Sequence, residues 1–344
     1  MRVAVLTGGS TPERDVALAG AAQVVRALRA RGHEVGVVDT VSGPVSPARE
    51  AELLTGSVGT EPPLAAELAE LRELERRIDL AEIAQLRDAE VVFLVLHGRE
   101  GEGGQVQTLL ERAGLTYTGS GSLGSAIAMD KDITKRLLRD ASIPTPEWRM
   151  WPASDDEVAA LGTPVVVKPS KAGSTVGLTV VRSLNELPAA VEEAYGYDDE
   201  VMLERYLTGR EFTVGVLGDE ALAVGEIIPS HEIFDYECKY TPGMTQEVFP
   251  AEIEDELTLW LRQLALSVHR VLKLDDFSRV DFRLGEDGTT YCLEVNTLPG
   301  LTATSLLPQS GAAAGIGFEE LCERICELAL RRAASRNKVV VEGM

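Results

Sequence analysis

Strands alternate with helices along the first part of the chain. Residues 3–6, 35–38 and 91–96 are short apolar runs of strand length, and helical patterns separate them. This alternation predicts a parallel, doubly wound sheet, because successive parallel strands need a crossover connection. Ligands bind such sheets at the carboxyl ends of the strands, which here continue into residues 7–14 and 97–105. The predicted fold class is therefore α/β, with a binding site at this edge.

The composition limits the partners of the chain. Its 344 residues predict two or three domains, and the net charge of −22 argues against nucleic acid and anionic membranes as partners. No apolar run has transmembrane length, and no signal-peptide pattern is present. The four cysteines lack metal-binding spacing, and Cys322 and Cys326, one helical turn apart, are predicted to pack rather than bridge. We expect a cytoplasmic location.

Further along the chain, the pattern predicts several long elements and one long loop. Helices are expected over residues 125–140, 254–272 and 318–333, the last one followed by a polar tail. Residues 228–250 have no strong periodicity and predict a long functional loop. The remaining apolar runs predict strands at residues 165–168, 178–181, 201–206 and 212–217.

Residues 279–296 read as a β-hairpin. Asp287 and Gly288 form the dipeptide that favours a two-residue turn, and a symmetric turn there places Asp281 opposite Glu294. Since side chains alternate along a strand, these carboxylates share one face of the hairpin. The other face is predicted to carry the apolar side chains of Val280, Phe282, Leu293 and Val295.

The polar face of this hairpin predicts a metal and phosphate site. Arg279 and Asn296 face each other beside the two carboxylates, which repel unless a positive group lies between them. Three hard oxygen donors beside an arginine suit Mg²⁺ that carries substrate phosphates. A merely solvated polar face is the alternative, and the abrupt Pro299–Gly300 loop that follows argues against it.

A glycine-rich segment at residues 170–177 connects two strands and is predicted to be a flexible flap. Its glycines permit close approach of the backbone to phosphate, and Ser174 adds a hydroxyl donor. Lys168 ends the apolar strand beneath this flap, where its burial requires an anion. Lys131 is a second candidate phosphate cation. The alternative is an ordinary mobile hairpin with a lysine that reaches solvent.

Two strand-end loops of the first domain carry candidate substrate contacts. Thr11 and Pro12 predict a helix start, with threonine as the cap and proline at the first helical position. Glu13 is then either a first-turn acid favoured by the helix dipole or a ligand for a substrate ammonium group. His97 follows the strand at residues 91–96 and is either structural or a ligand contact.

One motif suggests a different class of protein. Residues 119–124 satisfy G-x-G-x-x-G and precede a helix, which is typical of dinucleotide binding in dehydrogenases. The preceding strand is short, and Pro144 and Pro146 interrupt the region that would hold the next strand. An NAD-dependent enzyme is therefore the competing interpretation.

Taken together, these motifs resemble the D-alanine–D-alanine ligase family of the ATP-grasp superfamily. The resemblance covers nearly the whole chain, in order, at residues 8–14, 97–98, 129–131, 167–170, 173–177, 237–240, 294–297 and 305–306. It implies a Rossmann-like domain at residues 1–119 and two ATP-grasp lobes at residues 120–203 and 204–344. It also implies ATP-dependent joining of two D-alanines through an acyl phosphate for peptidoglycan synthesis, two Mg²⁺ ions (with Mn²⁺ as a substitute), and a homodimer.

The resemblance implies a role for each matching residue of a nucleotide site. The ATP phosphates would be contacted by Lys131, Lys168 and Lys239, under a flap that contains Ser174. The residues that would bracket adenine and ribose are Glu204, Arg205, Tyr206, Leu207 and Glu211. The residues that would hold the metal ions are Asp281, Glu294 and Asn296.

The resemblance also implies roles at a substrate site. Glu13 would bind the ammonium group of the first D-alanine, linked to Ser174 and Tyr240, and His97 would border that substrate. The oxyanion would be stabilised by Arg279 and the backbone of Gly300, and the second carboxylate would meet Ser305 and Leu306.

Two positions depart from the family pattern, and three alternative functions stay open. Ala17 stands where the family usually has serine, and Gly103 where it usually has aspartate, so substrate affinity is expected to change rather than the reaction. A ligase that joins D-alanine to D-lactate is the nearest alternative, and Tyr240 favours the dipeptide-forming type. A ligase for L-dipeptides and a non-catalytic nucleotide-binding protein are the others.

Overall fold

The computed structural model describes residues 1–54, 65–173, 175–234, 238, 241 and 243–342. These residues form three β-sheets with helices packed around them. In this part of the chain, every helix is too short or too polar to span a bilayer.

The first sheet confirms the predicted parallel arrangement. Its strands have the order β3-β2-β1-β4, and β1 pairs in parallel with both β2 and β4. The short edge strand β3 pairs antiparallel with β2, so the sheet is parallel only in its three longer strands. These strands are β1 Arg2–Thr7, β2 Glu34–Asp39, β3 Gly43–Val45 and β4 Val91–Val95. The helices of this region are α1 Arg14–Ala30, α2 Pro47–Leu53, α3 Ala65–Glu75, α4 Ala84–Arg87, α5 Gly98–Glu102 and α6 Gln105–Arg112.

The second and third sheets are antiparallel and follow in the chain. The central sheet has the order β5-β8-β6-β7 and contains β5 Trp148–Met150, β6 Val165–Pro169, β7 Thr179–Val181 and β8 Val201–Arg205. The C-terminal sheet has the order β11-β10-β9-β12-β13 and contains β9 Glu211–Leu217, β10 Glu220–Pro229, β11 Thr245–Val248, β12 Phe277–Leu284 and β13 Thr290–Asn296. The later helices are α7 Ser122–Met129, α8 Lys131–Asp140, α9 Asp155–Leu161, α10 Leu187–Tyr195, α12 Asp255–Val271, α13 Leu306–Ala313 and α14 Phe318–Glu342. Short 3₁₀ turns lie at residues 80–82 and 184–186.

The predicted helix at residues 125–140 is wrong, because two helices occupy the region. Helix α7 ends at Met129, and Asp130 is extended (φ −83°, ψ 101°). The Asp130 side chain accepts a hydrogen bond from the Ile133 N–H at 3.0 Å, which caps α8. Lys131 is thereby the first residue of α8.

Two other predicted boundaries are also wrong. Residues 228–250 are not loop throughout, because β10 reaches Pro229 and β11 covers Thr245–Val248. The last helix does not give way to a polar tail at residue 333, since α14 extends to Glu342. In both regions, strand pairing or continued backbone hydrogen bonding outweighs a weak local pattern.

The hairpin has the predicted pairing but not the predicted turn. The Gly285 N–H donates to the Thr289 carbonyl at 2.9 Å, so residues 286–288 form a longer loop with Gly288 at φ +76°. A register shift between Asp281 and Phe282 compensates, and Asp281 still lies opposite Glu294.

The register shift also corrects the apolar face of the hairpin. Cys292, and not Leu293, pairs with Phe282 and is fully buried in the core of the C-terminal sheet. Leu293 instead lines the cleft described below. Placing Leu293 on the core face was wrong because the bulge rotates it to the opposite side.

The apolar cores connect segments that are far apart in sequence. Residues of α13 and α14 pack into the core of the first sheet, where Cys322 and Cys326 are fully buried free thiols, as predicted. Ala128 of α7 and Leu138 of α8 pack into the core of the C-terminal sheet. The division into domains at residues 119/120 and 203/204 stays a prediction.

Candidate functional site

A cleft lies between the central and the C-terminal sheets, and we call it the inter-sheet cleft. Its walls come from β6, β8 and the flap on one side and from β12 and β13 on the other. The site residues predicted from the sequence that line it are Lys131, Lys168, Glu204, Arg205, Tyr206, Leu207, Glu211, Arg279, Asp281 and Glu294. The structure therefore brings most of the predicted nucleotide contacts together.

A buried charge triad lies at the base of the inter-sheet cleft. Lys168 Nζ donates to Glu204 Oε1 at 2.7 Å, and Lys135 Nζ lies 2.6 Å from Glu204 Oε2. Burial opposes the charged form of Glu204, yet the two lysines hold its pKa below the usual value. Glu204 is therefore the anion that the buried Lys168 requires in this structure.

Lys135 is a site residue that the sequence reasoning missed. It is 1% exposed, and its ammonium group also donates to Thr145 Oγ1 at 2.6 Å and to the Pro146 carbonyl at 2.9 Å. The available signal was its position one turn after Lys131, on the face of the helix that also carries the buried Leu138.

A second ion pair lies at the end of the cleft that is lined by Leu207 and Glu211. Arg283 on β12 donates to Glu211, and also to the Leu207 carbonyl at 3.1 Å. Arg283 therefore joins the end of β8 to the hairpin. The sequence reasoning had not singled out Arg283. The available signal was the alternate spacing of charged residues on this strand, at Arg279, Asp281 and Arg283.

The polar face of the hairpin is held by charge-assisted hydrogen bonds. Arg279 Nη2 and Asn296 Nδ2 donate to Asp281 Oδ2 at 2.8 and 3.1 Å, and Thr213 Oγ1 donates to Asp281 Oδ1 at 2.7 Å. Although burial disfavours the cation, Asp281 raises the pKa of Arg279 above its ordinary value. Arg279 thereby supplies the positive charge that the sequence required beside the two carboxylates.

Lys131 approaches the same face from the start of α8. Its ammonium group lies 3.7 Å from Glu294 Oε2 and donates to the Ala172 carbonyl of the flap at 2.7 Å. Burial lowers the pKa of Lys131, and Glu294 partly opposes this shift. Lys131 therefore joins the hairpin, the flap and α8 at one point.

The hairpin donors suit a hard divalent cation. Asp281 and Glu294 offer carboxylate oxygens and Asn296 an amide oxygen, a set that Mg²⁺ accepts together with phosphate oxygens and water. Among the residues that the structure describes, no three His, Cys, Asp or Glu side chains form a metal cluster of their own. The set therefore fits an ion that a nucleotide also coordinates, rather than a site closed by protein alone.

A second cavity, which we call the loop pocket, adjoins the cleft on the side of the first sheet. It shares Phe234, Arg279 and Glu294 with the inter-sheet cleft. The site residues predicted from the sequence that line it are Glu13, His97, Arg279, Glu294, Asn296, Gly300, Ser305 and Leu306. Because the two cavities are contiguous, a ligand in the loop pocket can meet the end of a ligand in the cleft.

Glu13 faces the loop pocket, although the predicted helix start is wrong. Helix α1 begins at Arg14 with Glu13 at the N-cap position, and not at Pro12. The Thr11 hydroxyl does not cap the helix but donates to the His97 carbonyl at 3.3 Å. A Cβ atom on Gly173 would lie 3.6 Å from Glu13 Oε2, so the flap passes close to this carboxylate.

His97 and Glu102 form the buried wall of the loop pocket. Burial lowers the pKa of His97, and its Nε2 has no hydrogen-bond partner within the described part of the chain. Glu102 accepts the N–H groups of Gly98 at 3.1 Å and Leu298 at 3.2 Å, and burial raises its pKa to about 8. The sequence reasoning missed Glu102, for which the signal was an acid within a glycine-rich strand-end loop.

The opposite wall of the loop pocket is the loop before α13. Ser305 Oγ contacts the Thr302 N–H at 3.2 Å and Thr302 Oγ1 at 2.7 Å, directly before the first turn of α13. A Cβ atom on Gly300 would lie 2.8 Å from Ser305 Oγ, so only glycine fits this loop unchanged. Unpaired N–H groups at the start of a helix favour the binding of a carboxylate. This position is therefore compatible with the predicted role of Ser305 and Leu306, which is contact with a substrate carboxylate.

The glycine motif at residues 119–124 serves packing. The N–H groups of Gly119 and Gly121 donate to Asp276 Oδ2 at 2.9 Å and Asp275 Oδ2 at 3.3 Å. A Cβ atom on Gly124 would lie 2.7 Å from the Lys273 carbonyl. Since two aspartates occupy the donors that a pyrophosphate would need, the dehydrogenase interpretation has no structural support.

Three predicted site residues and the two departures from the family pattern need separate mention. Ser174, Lys239 and Tyr240 fall outside the described residues, so their roles stay predictions. Ala17 is fully buried. A Cβ atom on Gly103 would lie 2.3 Å from the Arg99 carbonyl, so an aspartate at this position would displace the loop.

Family models and curated relatives resemble this chain over most of its length. The model described as D-ala D-ala ligase N-terminus matches residues 2–120, and the one described as D-ala D-ala ligase C-terminus matches residues 137–327. A D-alanine–D-alanine ligase of Geobacter sulfurreducens is 40% identical over 328 residues, covering 94% of this chain and 92% of the relative. One of Anaeromyxobacter sp. (strain Fw109-5) is 41% identical over 337 residues, covering 96% and 98%.

Solved structures also match. The D-alanine–D-alanine ligase from Coxiella burnetii superposes with a TM-score of 0.81 at 26% identity, covering 98% of this chain and 96% of that one. The enzyme from Bacillus anthracis complexed with ATP gives a TM-score of 0.75 at 30% identity, with 97% and 99% covered.

Proposed function

We propose a function for this chain on the basis of its family. The chain belongs to the D-alanine–D-alanine ligase family and has the ATP-grasp fold of that family. We infer that it joins two D-alanines to D-alanyl-D-alanine with cleavage of ATP to ADP and phosphate. The observation that carries the proposal is the contact between the two cavities at Arg279 and Glu294. Nucleotide in the inter-sheet cleft then presents its γ-phosphate to a carboxylate in the loop pocket. We assign the product to peptidoglycan precursor synthesis in the cytoplasm, and a homodimer stays a prediction.

The first step activates a carboxylate. A carboxylate is a poor electrophile, so a carboxylate oxygen of the first D-alanine attacks the γ-phosphorus of ATP. The bond between the γ-phosphorus and ADP breaks, ADP leaves, and the acyl phosphate of D-alanine is formed. Lys131 and Lys168 line the cleft, and we assign to them the role of spreading the charge of the transferred phosphoryl group. Glu204 keeps its charge balanced by Lys135 when Lys168 turns to phosphate.

The residues that would hold Mg²⁺ are Asp281, Glu294 and Asn296. An Mg²⁺ ion held by these residues would supply charge neutralisation to the phosphate groups of the nucleotide. Arg279 orients the Asp281 carboxylate through a bidentate contact at 2.9 and 2.8 Å.

The second step forms the amide bond. The unprotonated amine of the second D-alanine attacks the acyl carbon, the tetrahedral oxyanion collapses, and inorganic phosphate leaves. Glu13 binds the ammonium group of the first D-alanine, while Ser305 and the start of α13 bind the carboxylate of the second. Arg279 and Gly300 line the pocket, and we assign to the guanidinium group and the Gly300 N–H the role of stabilising the oxyanion.

Water must be excluded, because it hydrolyses an acyl phosphate. Thr175 Oγ1 of the flap donates to the Phe234 carbonyl at 2.8 Å, and Phe234 lines both cavities. Arg182, in the connection between β7 and α10, also forms an ion pair with Glu232 in the loop after β10. The flap and the loop after β10 are therefore in contact where the two cavities adjoin, and we assign to them the role of a lid that excludes water.

The test is ADP formation with defined amino acids. Mg·ATP with D-alanine alone is expected to release ADP and to yield D-alanyl-D-alanine, whereas L-alanine gives neither. With D-lactate as the second substrate at neutral pH, ester product is expected to be minor. Equal rates with L-alanine, or ester formation as fast as dipeptide formation, would contradict the assignment. Quenching of intrinsic fluorescence by NADH but not by Mg·ATP would instead support a dehydrogenase.

A further inference from the structure

Glu102 is a buried carboxyl group that joins two loops of the loop pocket. Its Oε2 accepts the Gly98 N–H at 3.1 Å, and its Oε1 accepts the Leu298 N–H at 3.2 Å. Gly98 follows β4 of the first sheet, and Leu298 follows β13 of the C-terminal sheet. The residue is 9% exposed, and its side chain lines the pocket. One carboxyl group therefore bridges segments from two different sheets.

The Gly98 contact fixes the loop that borders the first substrate. Gly98 has φ +77°, and a Cβ atom there would lie 2.9 Å from Thr11 Cγ2. Thr11 also donates to the His97 carbonyl, and it lies two residues before Glu13. Holding the Gly98 N–H therefore fixes His97 against the loop that carries Glu13.

The Leu298 contact fixes the loop that carries Gly300. The Leu298 side chain is buried in the core of the first sheet, and further along the loop the Ala303 N–H donates to Gln23 Oε1 at 2.6 Å. Gly300 lies between these two anchors, only two residues after the one that Glu102 holds. The direction of the Gly300 N–H therefore depends on the bond between Glu102 and Leu298.

We propose that Glu102 is a positioning residue for the ligation, which holds the His97 loop and the Gly300 loop at the separation that the reaction requires. The inference rests on the proposed function, in which Glu13 binds the first D-alanine and the Gly300 N–H meets the oxyanion. Burying a carboxyl group is unfavourable unless its oxygens are bonded, and both oxygens of Glu102 hold backbone N–H groups at the pocket wall. Arg279 and Glu13 are the charged groups that act on it electrostatically.

The experiment compares Glu102→Gln with Glu102→Leu. Glutamine keeps the size and one oxygen acceptor, so it retains one of the two anchors, and leucine retains neither. We expect kcat to fall about tenfold in Glu102→Gln, as for one lost hydrogen bond, and about 100-fold in Glu102→Leu, as for a group misplaced by about 1 Å. KM for ATP is expected to stay at the wild-type value, because the nucleotide binds in the inter-sheet cleft.

Glu90→Leu is the control, since Glu90 also accepts a backbone N–H, from Arg2 at 2.7 Å, and lines neither cavity. It is expected to leave kcat unchanged. Wild-type kcat in Glu102→Leu, or a KM for ATP that rises as kcat falls, would overturn the inference. If Glu102→Leu does not fold, Glu102→Gln decides with the same two readouts.

Hydrogen–deuterium exchange measures the same anchor without turnover. Peptides that cover residues 97–104 and 296–305 are expected to exchange faster in Glu102→Gln than in the wild type, and not in Glu90→Leu. Unchanged exchange in both peptides would overturn the inference. A wild-type protein that forms no ADP with D-alanine would defeat the proposed function, and the exchange result would still decide whether Glu102 fixes the loops.

Discussion

The inter-sheet cleft and the loop pocket are built from different kinds of contact. In the cleft, charged side chains neutralise one another, as Lys168 and Lys135 do with Glu204. In the loop pocket, side chains hold backbone N–H groups, as Glu102 does with Leu298. The cleft is thus a set of paired charges on strands and a helix, whereas the pocket is a set of loops held at fixed distances.

This difference agrees with the ligands that we assign. A nucleoside triphosphate carries several negative charges, so its site needs cations, and those cations need carboxylate partners while the site is empty. A small zwitterion offers one ammonium and one carboxylate group, which single side chains and a helix start can bind. Charge therefore dominates in the cleft and loop geometry in the pocket.

The largest effect that we expect tests the charges of the cleft. Glu294→Gln removes a carboxylate that lies opposite Asp281 and 3.7 Å from Lys131. We expect kcat to fall by about 10³-fold, because a preorganised charge at the transferred phosphate is lost. The free energy of unfolding is expected to stay at the wild-type value, since Glu294 is only partly buried. A coupled assay of ADP formation measures the loss.

Glu286→Gln on the same hairpin is the matched control. Glu286 is exposed and accepts from Thr208 Oγ1 at 2.8 Å, outside both cavities. It is expected to keep wild-type turnover. Full activity in Glu294→Gln would refute its assignment to the metal and phosphate site, and an equal loss in Glu286→Gln would point to damage of the hairpin instead.

The second effect measures the buried triad itself. Lys135→Met leaves Glu204 with Lys168 as its remaining lysine partner and removes a cation that is 1% exposed. Breaking one side of a buried ion pair typically costs about 3–5 kcal/mol of unfolding free energy. Urea denaturation measures this loss. Because Lys168 is then drawn to Glu204, KM for ATP is also expected to rise.

Arg136→Met, at the next position of α8, is the control for Lys135→Met. Arg136 pairs with Asp132 at 2.9 Å on the exposed face of the helix. Exposed pairs contribute little to stability, so its urea midpoint is expected to stay near that of the wild type. Equal midpoints for the two variants would show that the buried triad does not stabilise the cleft.

The smallest effect tests the loop pocket. Ser305→Ala removes the hydroxyl that contacts the Thr302 N–H and Thr302 Oγ1. We expect kcat/KM for the second D-alanine to fall about tenfold, as for one lost hydrogen bond, with KM for ATP unchanged. Steady-state kinetics with ATP and D-alanine varied separately measures both constants.

Ser267→Ala serves as its control, because the Ser267 hydroxyl donates to the Gln263 carbonyl on the exposed face of α12. No kinetic change is expected there. A loss in Ser305→Ala that appears in KM for ATP would mean that the two cavities do not divide the ligands as we propose.

For the hairpin, the sequence predicted correctly that Asp281 and Glu294 face each other, but it did not predict the length of the turn or the bulge. Asp281 lies opposite Glu294 as predicted, but through a longer turn and a compensating bulge. A bulge depends on how the strand packs on its neighbours, which local patterns do not report. The same limit explains Leu293, which the bulge turns from the core towards the cleft.

The missed residues have a common cause. The local signals of Lys135, Glu102 and Arg283 are weak, because the role of each residue depends on a partner from a distant part of the chain, such as Leu298 for Glu102. The helix break at Asp130 was missed for a different reason, since the cap is one local side-chain contact, to the Ile133 N–H, inside an otherwise helical pattern.

The sequence by itself determined the chemical groups and the order of the elements. Alternating apolar runs specify the parallel first sheet, and the residue types at Asp281, Glu294 and Asn296 specify hard oxygen donors. Only the tertiary structure decided which charges are paired and how far apart the two loops of the pocket lie. Pattern and residue type act over a few neighbouring residues, whereas burial and ion pairing depend on which distant segments the folded chain brings into contact.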